Sequence, residues 1–236
     1  MITKQREDDK NVNDLRLESG DKPMILLGGG DLNRAAFDEI TAHGYPLVAA
    51  DGGANALLDT DPVPDLIIGD LDSLADRAGW QDKTTVIEVS EQETTDFEKC
   101  LIATSAPLYL GFGFLGKRFD HSLAALHVLA RYAGTKRIVL IGDNDIVFVP
   151  TAPFEAAREI GSRFSVYPIG QVTFEASTGL KYPLDGLTLA PGVAVGTSNE
   201  VTESPVRIVP DAASDGQYAV ILPTEALPNI ISDIAS

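Results

Sequence analysis

The chain has 236 residues, a hydrophobic content of 44% and a formal net charge of −17 at pH 7. This length suits one large domain or two small ones with a real core, and no apolar run approaches the ~20 residues of a membrane helix. The charge argues against a basic nucleic-acid-binding surface, and the single cysteine, Cys100, fits a reducing compartment. We therefore expect a cytoplasmic protein that binds neither nucleic acid nor membrane.

The first 22 residues are polar and charged and lack the apolar segment of a secretory signal, so we expect a polar arm over residues 1–22. An apolar run at 23–27 predicts the first strand. Three glycines, at 28–30, follow it, and helical spacing over 33–42 comes next. A glycine turn between a strand and a helix either cradles phosphate or is merely a tight turn, and the sequence leaves both open.

Carboxylates follow the next two predicted strands. The strand at 46–50 ends in Asp51, and the apolar run at 66–68 leads through Gly69 to Asp70 and Asp72. In an extended segment the side chains of Asp70 and Asp72 point the same way. Two acids aimed at one point repel each other unless a cation lies between them, so this stretch favours a metal site.

A fourth strand at 85–89 leads to Gln92 and to a helix that Thr94 or Thr95 can cap, running to about residue 104. Taken alone, Asp96 is an acid matched to the helix dipole in the first turn, and Lys99 is a solvated helix charge.

A glycine-rich loop follows the fifth predicted strand, at 106–110. Residues 111–116 spell G-x-G-x-x-G, and residues 111–117 begin a P-loop pattern, but Arg118 stands where a P-loop has Ser or Thr. A dinucleotide fingerprint usually opens the first βαβ unit, whereas this loop comes fifth. We favour a cationic, phosphate-facing loop of another kind, and an NAD(P)-dependent oxidoreductase using loop 111–116 remains an alternative.

A helix is predicted over 120–133, with Asp120 as its N-cap and His127 in its apolar face, and a strand over 137–141. After about residue 150, short β-rich segments alternate with turn residues, as in an antiparallel sandwich or barrel. The predicted fold is therefore α/β: an open, mostly parallel, Rossmann-like sheet with helices over 23–148, followed by a smaller all-β, sandwich- or barrel-like domain over 149–236.

Four carboxylates thus follow or lie near the ends of predicted parallel strands, the edge at which open α/β sheets bind ligands. They are Asp51, Asp70, Asp72 and Asp96. Magnesium prefers oxygen ligands and commonly bridges carboxylates to substrate phosphates. With Lys99 and Arg118 available to hold phosphate, the sequence predicts phosphoryl-type transfer from a nucleotide.

These motifs, in this order, resemble the thiamin pyrophosphokinase family. The matching segments are residues 51–55, 64–73, 92–99, 118–121, 179–184 and 198–200. The resemblance implies an enzyme that transfers the pyrophosphoryl group of ATP to the hydroxyl of thiamin, giving thiamin diphosphate and AMP. It also implies a β-rich C-terminal domain and a homodimer whose thiamin sites lie between subunits.

The resemblance further implies roles for single residues. Asp70, Asp72 and Asp96 would hold Mg²⁺ on the ATP phosphates, with Asp51 close to the metal or to the attacking hydroxyl. The residues expected at ATP are Gln92, Thr95, Lys99, Arg118 and Asp120, and those expected at thiamin are Ser198 and Asn199.

Two positions depart from the family pattern: Lys117 stands where the family usually has glycine, and Ala125 where it usually has asparagine. Both bear on the nucleotide contacts and leave the carboxylates intact. A non-catalytic sensor of thiamin or nucleotide on the same scaffold is a further alternative, although a sensor has no need of a magnesium cluster.

Overall fold

A computed structural model describes residues 16–151 and 153–235. The first half contains strands β1 (Leu17–Glu18), β2 (Met24–Leu27), β3 (Leu47–Ala50), β4 (Leu66–Gly69), β5 (Thr85–Glu88), β6 (Thr104–Ser105), β7 (Tyr109–Phe112) and β8 (Ile138–Ile141). The second half contains β9 (Asp145–Phe148), β10 (Phe154–Ala156), β11 (Arg163–Pro168), β12 (Val172–Thr178), β13 (Thr188–Leu189), β14 (Gly196–Glu200), β15 (Val206–Pro210) and β16 (Tyr218–Pro223).

The helices are α1 (Arg34–Thr41), α2 (Arg77–Gln81), α3 (Asp96–Ala103), α4 (Phe119–Tyr132) and α5 (Leu227–Ala235), with short 3-10 helices at Asp51–Leu57 and Thr224–Ala226. Among the described residues, no helix has the length and apolar character needed to cross a lipid bilayer.

One ten-stranded sheet runs through the protein in the order β14-β11-β16-β9-β8-β7-β2-β3-β4-β5. The six strands from β8 to β5 pair in parallel, and the other four pair antiparallel. Every residue of β2, β3, β4, β7 and β8 is buried, as expected for parallel strands covered on both faces. The α/β prediction is confirmed, but the sheet is mixed, so the mostly parallel, Rossmann-like description is not.

A second sheet, in the order β10-β15-β12-β13, packs against the antiparallel end of the large one. The ring of Phe154 lies 6.1 Å from that of Phe164, and the ring of Phe174 lies 5.2 Å from that of Tyr218. The expectation of a separate barrel-like domain is not confirmed, because β11, β14 and β16 extend the large sheet. One edge of β9 pairs with β8, and the other edge pairs with β16, so β9 has no unpaired edge.

Helices cover both faces of the parallel region, and the strands divide their side chains between the two cores. Met24 and Leu26 of β2 pack with α3 and α4 on one face, whereas Ile25 and Leu27 pack with Phe37 of α1 on the other. This alternation follows from the two-residue period of a strand.

Three expectations need correction. Residues 16–22 are not simply a polar arm, because β1 pairs in parallel with β6, while residues 1–15 lie outside the described residues. The N-cap of α4 is Arg118 rather than Asp120. His127 is exposed rather than buried in the core, because it falls outside the side of α4 that buries Ala125, Val128 and Leu129.

We expect Phe174→Ala to lower the free energy of unfolding by about 3–5 kcal/mol, because the fully buried ring joins the two sheets. Urea denaturation monitored by circular dichroism measures this. The control is Ile160→Ala, which removes a side chain that is 66% exposed and should change the free energy by no more than about 0.5 kcal/mol. Equal losses in the two variants would contradict the described packing.

Candidate active site

Three carboxylates meet at the carboxyl ends of neighbouring parallel strands. Asp51 directly follows β3, Asp70 directly follows β4, and Asp96 is the first residue of α3. One oxygen from each lies within 4.8 Å of the other two. We call these three residues the aspartate cluster. It lies at the sheet edge where α/β proteins bind ligands.

The absence of a side chain at Gly69 allows this approach. The register of β3 and β4 pairs Ala50 with Ile68, which brings Asp51 beside Gly69. A Cβ at Gly69 would lie only 2.6 Å from the Cβ of Asp51. Any larger residue at 69 would therefore displace the first carboxylate of the cluster.

Asp51 is almost fully buried and has a left-handed backbone, with a φ of 44°. Its Oδ2 accepts a short hydrogen bond from the Ser73 hydroxyl and a 3.4 Å bond from the Ser73 N–H. Its Oδ1 is buried and has no hydrogen-bond partner among the described residues. A buried carboxylate oxygen needs a partner, and beside two further carboxylates a divalent cation fits that need.

Asp70 and Asp72 have opposite electrostatic environments. Asp70 accepts a 3.1 Å bond from Gln92 Nε2, and this bond is the main reason that the pKa of Asp70 lies below its ordinary value. The pKa of Asp72 is raised, chiefly by the negative charge of Asp70. Asp70 thus remains ionised beside its acidic neighbours.

Asp72 lies beside the aspartate cluster rather than within it. The expectation that Asp70 and Asp72 point the same way assumed an extended chain between them. Leu71 instead has a φ of 61° and is buried, so the chain turns there and leaves Asp72 exposed.

Lys99 is buried and is not the solvated helix charge that the sequence suggests. One turn along α3 from Asp96, its Nζ donates a 2.9 Å hydrogen bond to Asp96 Oδ1. Thr95 caps the same helix, as expected: its Oγ1 accepts from Glu98 N at 3.2 Å, and its own N–H donates to Glu98 Oε2 at 3.1 Å. The cap and the ion pair fix where Asp96 points.

The two glycine-rich turns, residues 28–30 and 111–116, interlock. The Gly30 N–H donates to the Gly113 carbonyl at 2.6 Å, and the Asp31 N–H donates to the Leu115 carbonyl at 3.1 Å. A Cβ on Gly113, whose φ is 70°, would lie 2.2 Å from the Gly28 carbonyl oxygen. These glycines therefore permit close packing of two turns, and nothing at them supports the oxidoreductase alternative.

Arg118 and Asp120 form an exposed two-pronged ion pair, with N–O distances of 3.1 and 2.6 Å. The pairing raises the pKa of Arg118 and lowers the pKa of Asp120. An exposed pair contributes little to stability, so a phosphate can replace Asp120 at low cost. Ala125, the second departure from the family pattern, is buried against the sheet and lies away from the solvent.

Ser198 and Asn199 lie on β14, at the far end of the large sheet. Six strands separate β14 from β3 in the sheet order. At about 4.8 Å per strand, Asn199 is about 34 Å along the sheet from Asp51. Within one chain, the structure does not bring the expected thiamin residues to the aspartate cluster.

Asn199 is nearly buried and holds the backbone of Tyr182. Its Oδ1 accepts from Tyr182 N at 3.0 Å, and its Nδ2 donates to the Tyr182 carbonyl at 2.7 Å. A cavity of about 210 Å³ lies here. Its lining includes Tyr182, Leu184, Leu187, Leu189, Val195 and Asn199.

Sequence reasoning missed two residues of these sites. Ser73 falls inside a matched motif, but its bond to Asp51 depends on residues 22 positions apart, which the motif alone does not reveal. Tyr182 lies in a matched segment too, and only its exposed position beside the cavity singles it out.

Comparisons with known proteins agree on one family. The family model "Thiamin pyrophosphokinase, catalytic domain" matches residues 37–141, and "Thiamin pyrophosphokinase, vitamin B1 binding domain" matches residues 155–213. The chain is 32% identical over 201 residues to thiamine pyrophosphokinase 1 of Oryza sativa subsp. japonica, covering 70% of this chain and 75% of that protein. It is also 32% identical over 208 residues to thiamine pyrophosphokinase 1 of Arabidopsis thaliana, covering 72% and 76%.

Solved structures share the fold. Thiamine pyrophosphokinase from Bacillus subtilis superimposes with a TM-score of 0.72 at 24% identity, covering 86% of this chain and 100% of that one. The yeast enzyme superimposes with a TM-score of 0.73 at 19% identity, covering 89% and 90%.

We expect Mg²⁺ to raise the melting temperature, because a cation that binds only the folded cluster stabilises it by about 2.7 kcal/mol at 100 times its dissociation constant. Asp70→Asn should lose this shift. When a chelator removes the Mg²⁺, the melting temperature of the variant should be no lower than that of the unmodified protein, because one of three repelling charges is gone. Differential scanning fluorimetry measures both.

The matched control is Asp59→Asn, an exposed acid outside the aspartate cluster, which should keep the full magnesium shift. If Mg²⁺ does not change the melting temperature of the unmodified protein, the aspartate cluster is ruled out as a cation site.

Proposed function

The chain belongs to the thiamin pyrophosphokinase family, and we propose that its aspartate cluster is the site at which the pyrophosphoryl group of ATP is transferred to the hydroxyl of thiamin, giving thiamin diphosphate and AMP. The observation that carries the assignment of the site is the convergence of three carboxylates within 4.8 Å at the carboxyl ends of parallel strands. The oxidoreductase and sensor alternatives have no comparable support.

Magnesium is the cofactor that we propose for this site. Asp51, Asp70 and Asp96 would hold it, and Asp72 would serve as a further ligand at the exposed side. A bound magnesium ion would supply positive charge that neutralises and orients the triphosphate. The donor set consists of carboxylate oxygens, and the unpartnered Oδ1 of Asp51 gives the ion a buried partner.

The protein's own groups keep the carboxylates in place and bind phosphate. Gln92 holds Asp70, and Lys99 holds Asp96, so both act as positioning residues. Thr95 begins the helix that presents Asp96. Arg118 would exchange Asp120 for a phosphate oxygen, because a charge-assisted bond to phosphate matches its planar fork. Transfer then depends on positioning and charge stabilisation rather than on a protein nucleophile.

We propose that the cavity beside Tyr182 receives thiamin, with Asn199 in its lining and Ser198 next to Asn199 on β14. Asn199 shapes this cavity by holding the Tyr182 backbone. Because the cavity and the aspartate cluster lie about 34 Å apart along the sheet of one chain, we propose that a second copy completes the site and that the protein is a homodimer. Exposed apolar side chains that line the cavity support this proposal; they are Tyr182, Leu187 and Val195.

The proposed organisation follows the chain. Residues 23–148 would bind ATP and magnesium, and residues 149–236 would form the β-rich, thiamin-binding part. The two family-model matches fall on either side of this boundary. A cytoplasmic location accords with the one cysteine, which is free and buried.

Asp70→Asn should reduce kcat/KM for thiamin-dependent AMP release by about 10²–10³-fold. The variant loses a negative charge that would hold the cation, and the cation would stabilise the reacting phosphates. Asp72→Asn should cost less, about tenfold, because Asp72 lies outside the aspartate cluster. A coupled AMP assay measures both, with circular dichroism to verify folding. Full activity in Asp70→Asn would overturn the site assignment.

Asn199→Ala should raise the KM for thiamin several-fold and leave the KM for ATP unchanged, because it releases the Tyr182 backbone at the thiamin cavity only. Steady-state kinetics with each substrate varied in turn test this. Arg207→Ala, which breaks an exposed ion pair on β15, is the control and should change neither constant. Parallel rises in both constants would refute a role specific to thiamin.

A further inference from the structure

Lys117 has a backbone conformation that a lysine disfavours. Its φ is 48°, in the left-handed region where glycine is the favoured residue. Its N–H donates to Asp31 Oδ2 at 2.8 Å, a bond that glycine would make equally well. The side chain is exposed, so core packing does not require it. Lysine thus occupies a conformation that favours glycine, although packing does not require its side chain. This suggests that the side chain has a function.

The Lys117 ammonium is held by a neutral group. Its Nζ donates to the Gly29 carbonyl oxygen at 3.1 Å. The other two cations at this edge, Lys99 and Arg118, are each paired with a carboxylate. Within the described part of the chain, Lys117 forms no such ion pair, so its charge is available to an anion.

The position of Gly29 connects Lys117 to the aspartate cluster. A Cβ built on Gly29 would lie 3.9 Å from backbone atoms of both Gly52 and Gly53, the residues that directly follow Asp51. The Lys117 ammonium is therefore bonded to a residue that lies against the turn following Asp51. The backbone bonds between the two glycine-rich turns fix the loop, whereas four methylene groups leave the ammonium free to pivot.

We propose that Lys117 is a polyphosphate-binding residue whose ammonium exchanges the Gly29 carbonyl for an oxygen of the ATP triphosphate. A phosphate oxygen carries negative charge, so an ammonium bonded to it gains a coulombic attraction that a neutral carbonyl does not offer. The inference rests on the proposed function, since it takes the triphosphate to lie against the aspartate cluster. It assigns Lys117 to substrate binding, so its loss affects KM for ATP rather than kcat.

The test compares Lys117→Gly, Lys117→Met and Lys117→Arg. Glycine removes the ammonium and suits the left-handed backbone, methionine keeps an unbranched side chain without charge, and arginine keeps the charge. Lys22→Met is the matched control, because the Lys22 ammonium also donates to a glycine carbonyl, at Gly44, but lies before β2 at the opposite end of the strand.

The probe is inorganic tripolyphosphate with Mg²⁺, titrated by calorimetry, followed by kinetics of thiamin-dependent AMP release. Lys117→Gly and Lys117→Met should bind tripolyphosphate about tenfold more weakly, which corresponds to about 1.4 kcal/mol, and raise KM for ATP by a similar factor with kcat nearly unchanged. Lys117→Arg and Lys22→Met should match the unmodified protein. Added KCl should shrink the difference, because salt screens an exposed charge.

Two results would overturn the proposal: unchanged tripolyphosphate affinity in Lys117→Gly and Lys117→Met, or no tripolyphosphate binding by the unmodified protein. If the affinity is unchanged and the melting temperature falls, the ammonium serves only to bond Gly29. Failure of the proposed function is distinguishable, because it would show as no AMP release by the unmodified protein, while the calorimetric comparison would still decide the role of Lys117.

Discussion

Repulsion among three carboxylates within 4.8 Å is the constraint on which the rest of the site depends. A crowded acid can lower its energy by taking up a proton, but the Gln92 bond lowers the pKa of Asp70 and keeps it ionised. The raised pKa of Asp72 shows the cost of this charge at the neighbouring residue. Three carboxylates this close favour a divalent cation between them, and Ser73, Gln92 and Lys99 each bond one of the three.

The glycines around the cluster answer a steric need of the same site. The parallel strands β2, β3, β4 and β7 all end at this edge, so the turns that follow them are closely packed. A Cβ at Gly53 would lie 2.2 Å from the Leu27 carbonyl oxygen, and one at Gly52 would lie 2.4 Å from the Ser73 hydroxyl. Bare backbone at these points is what lets the carboxylates converge.

The sequence predicted the parallel strands β2, β3, β4 and β8 to within a residue or two, because strands buried on both faces are continuous apolar runs. It also placed the edge strand β5, whose residues are exposed or half-buried. It predicted the aspartates through their positions after those strands. It could not predict the left-handed turn at Leu71 that removes Asp72 from the cluster, nor the burial of Lys99. It also missed that β11, β14 and β16 join the large sheet, because strand pairing over such separations leaves no local pattern.

That continuous sheet has a consequence for the proposed reaction. Were the β-rich part a separate body on a linker, it could swing its cavity onto the aspartate cluster of its own chain. Pairing of β16 with β9 and of β9 with β8 fixes the two parts within one hydrogen-bonded layer instead. The cavity beside Tyr182 then stays about 34 Å along the sheet from Asp51, so under the proposed function thiamin held there would meet the triphosphate bound by another copy. If the proposed function is right, the dimer follows from the sheet.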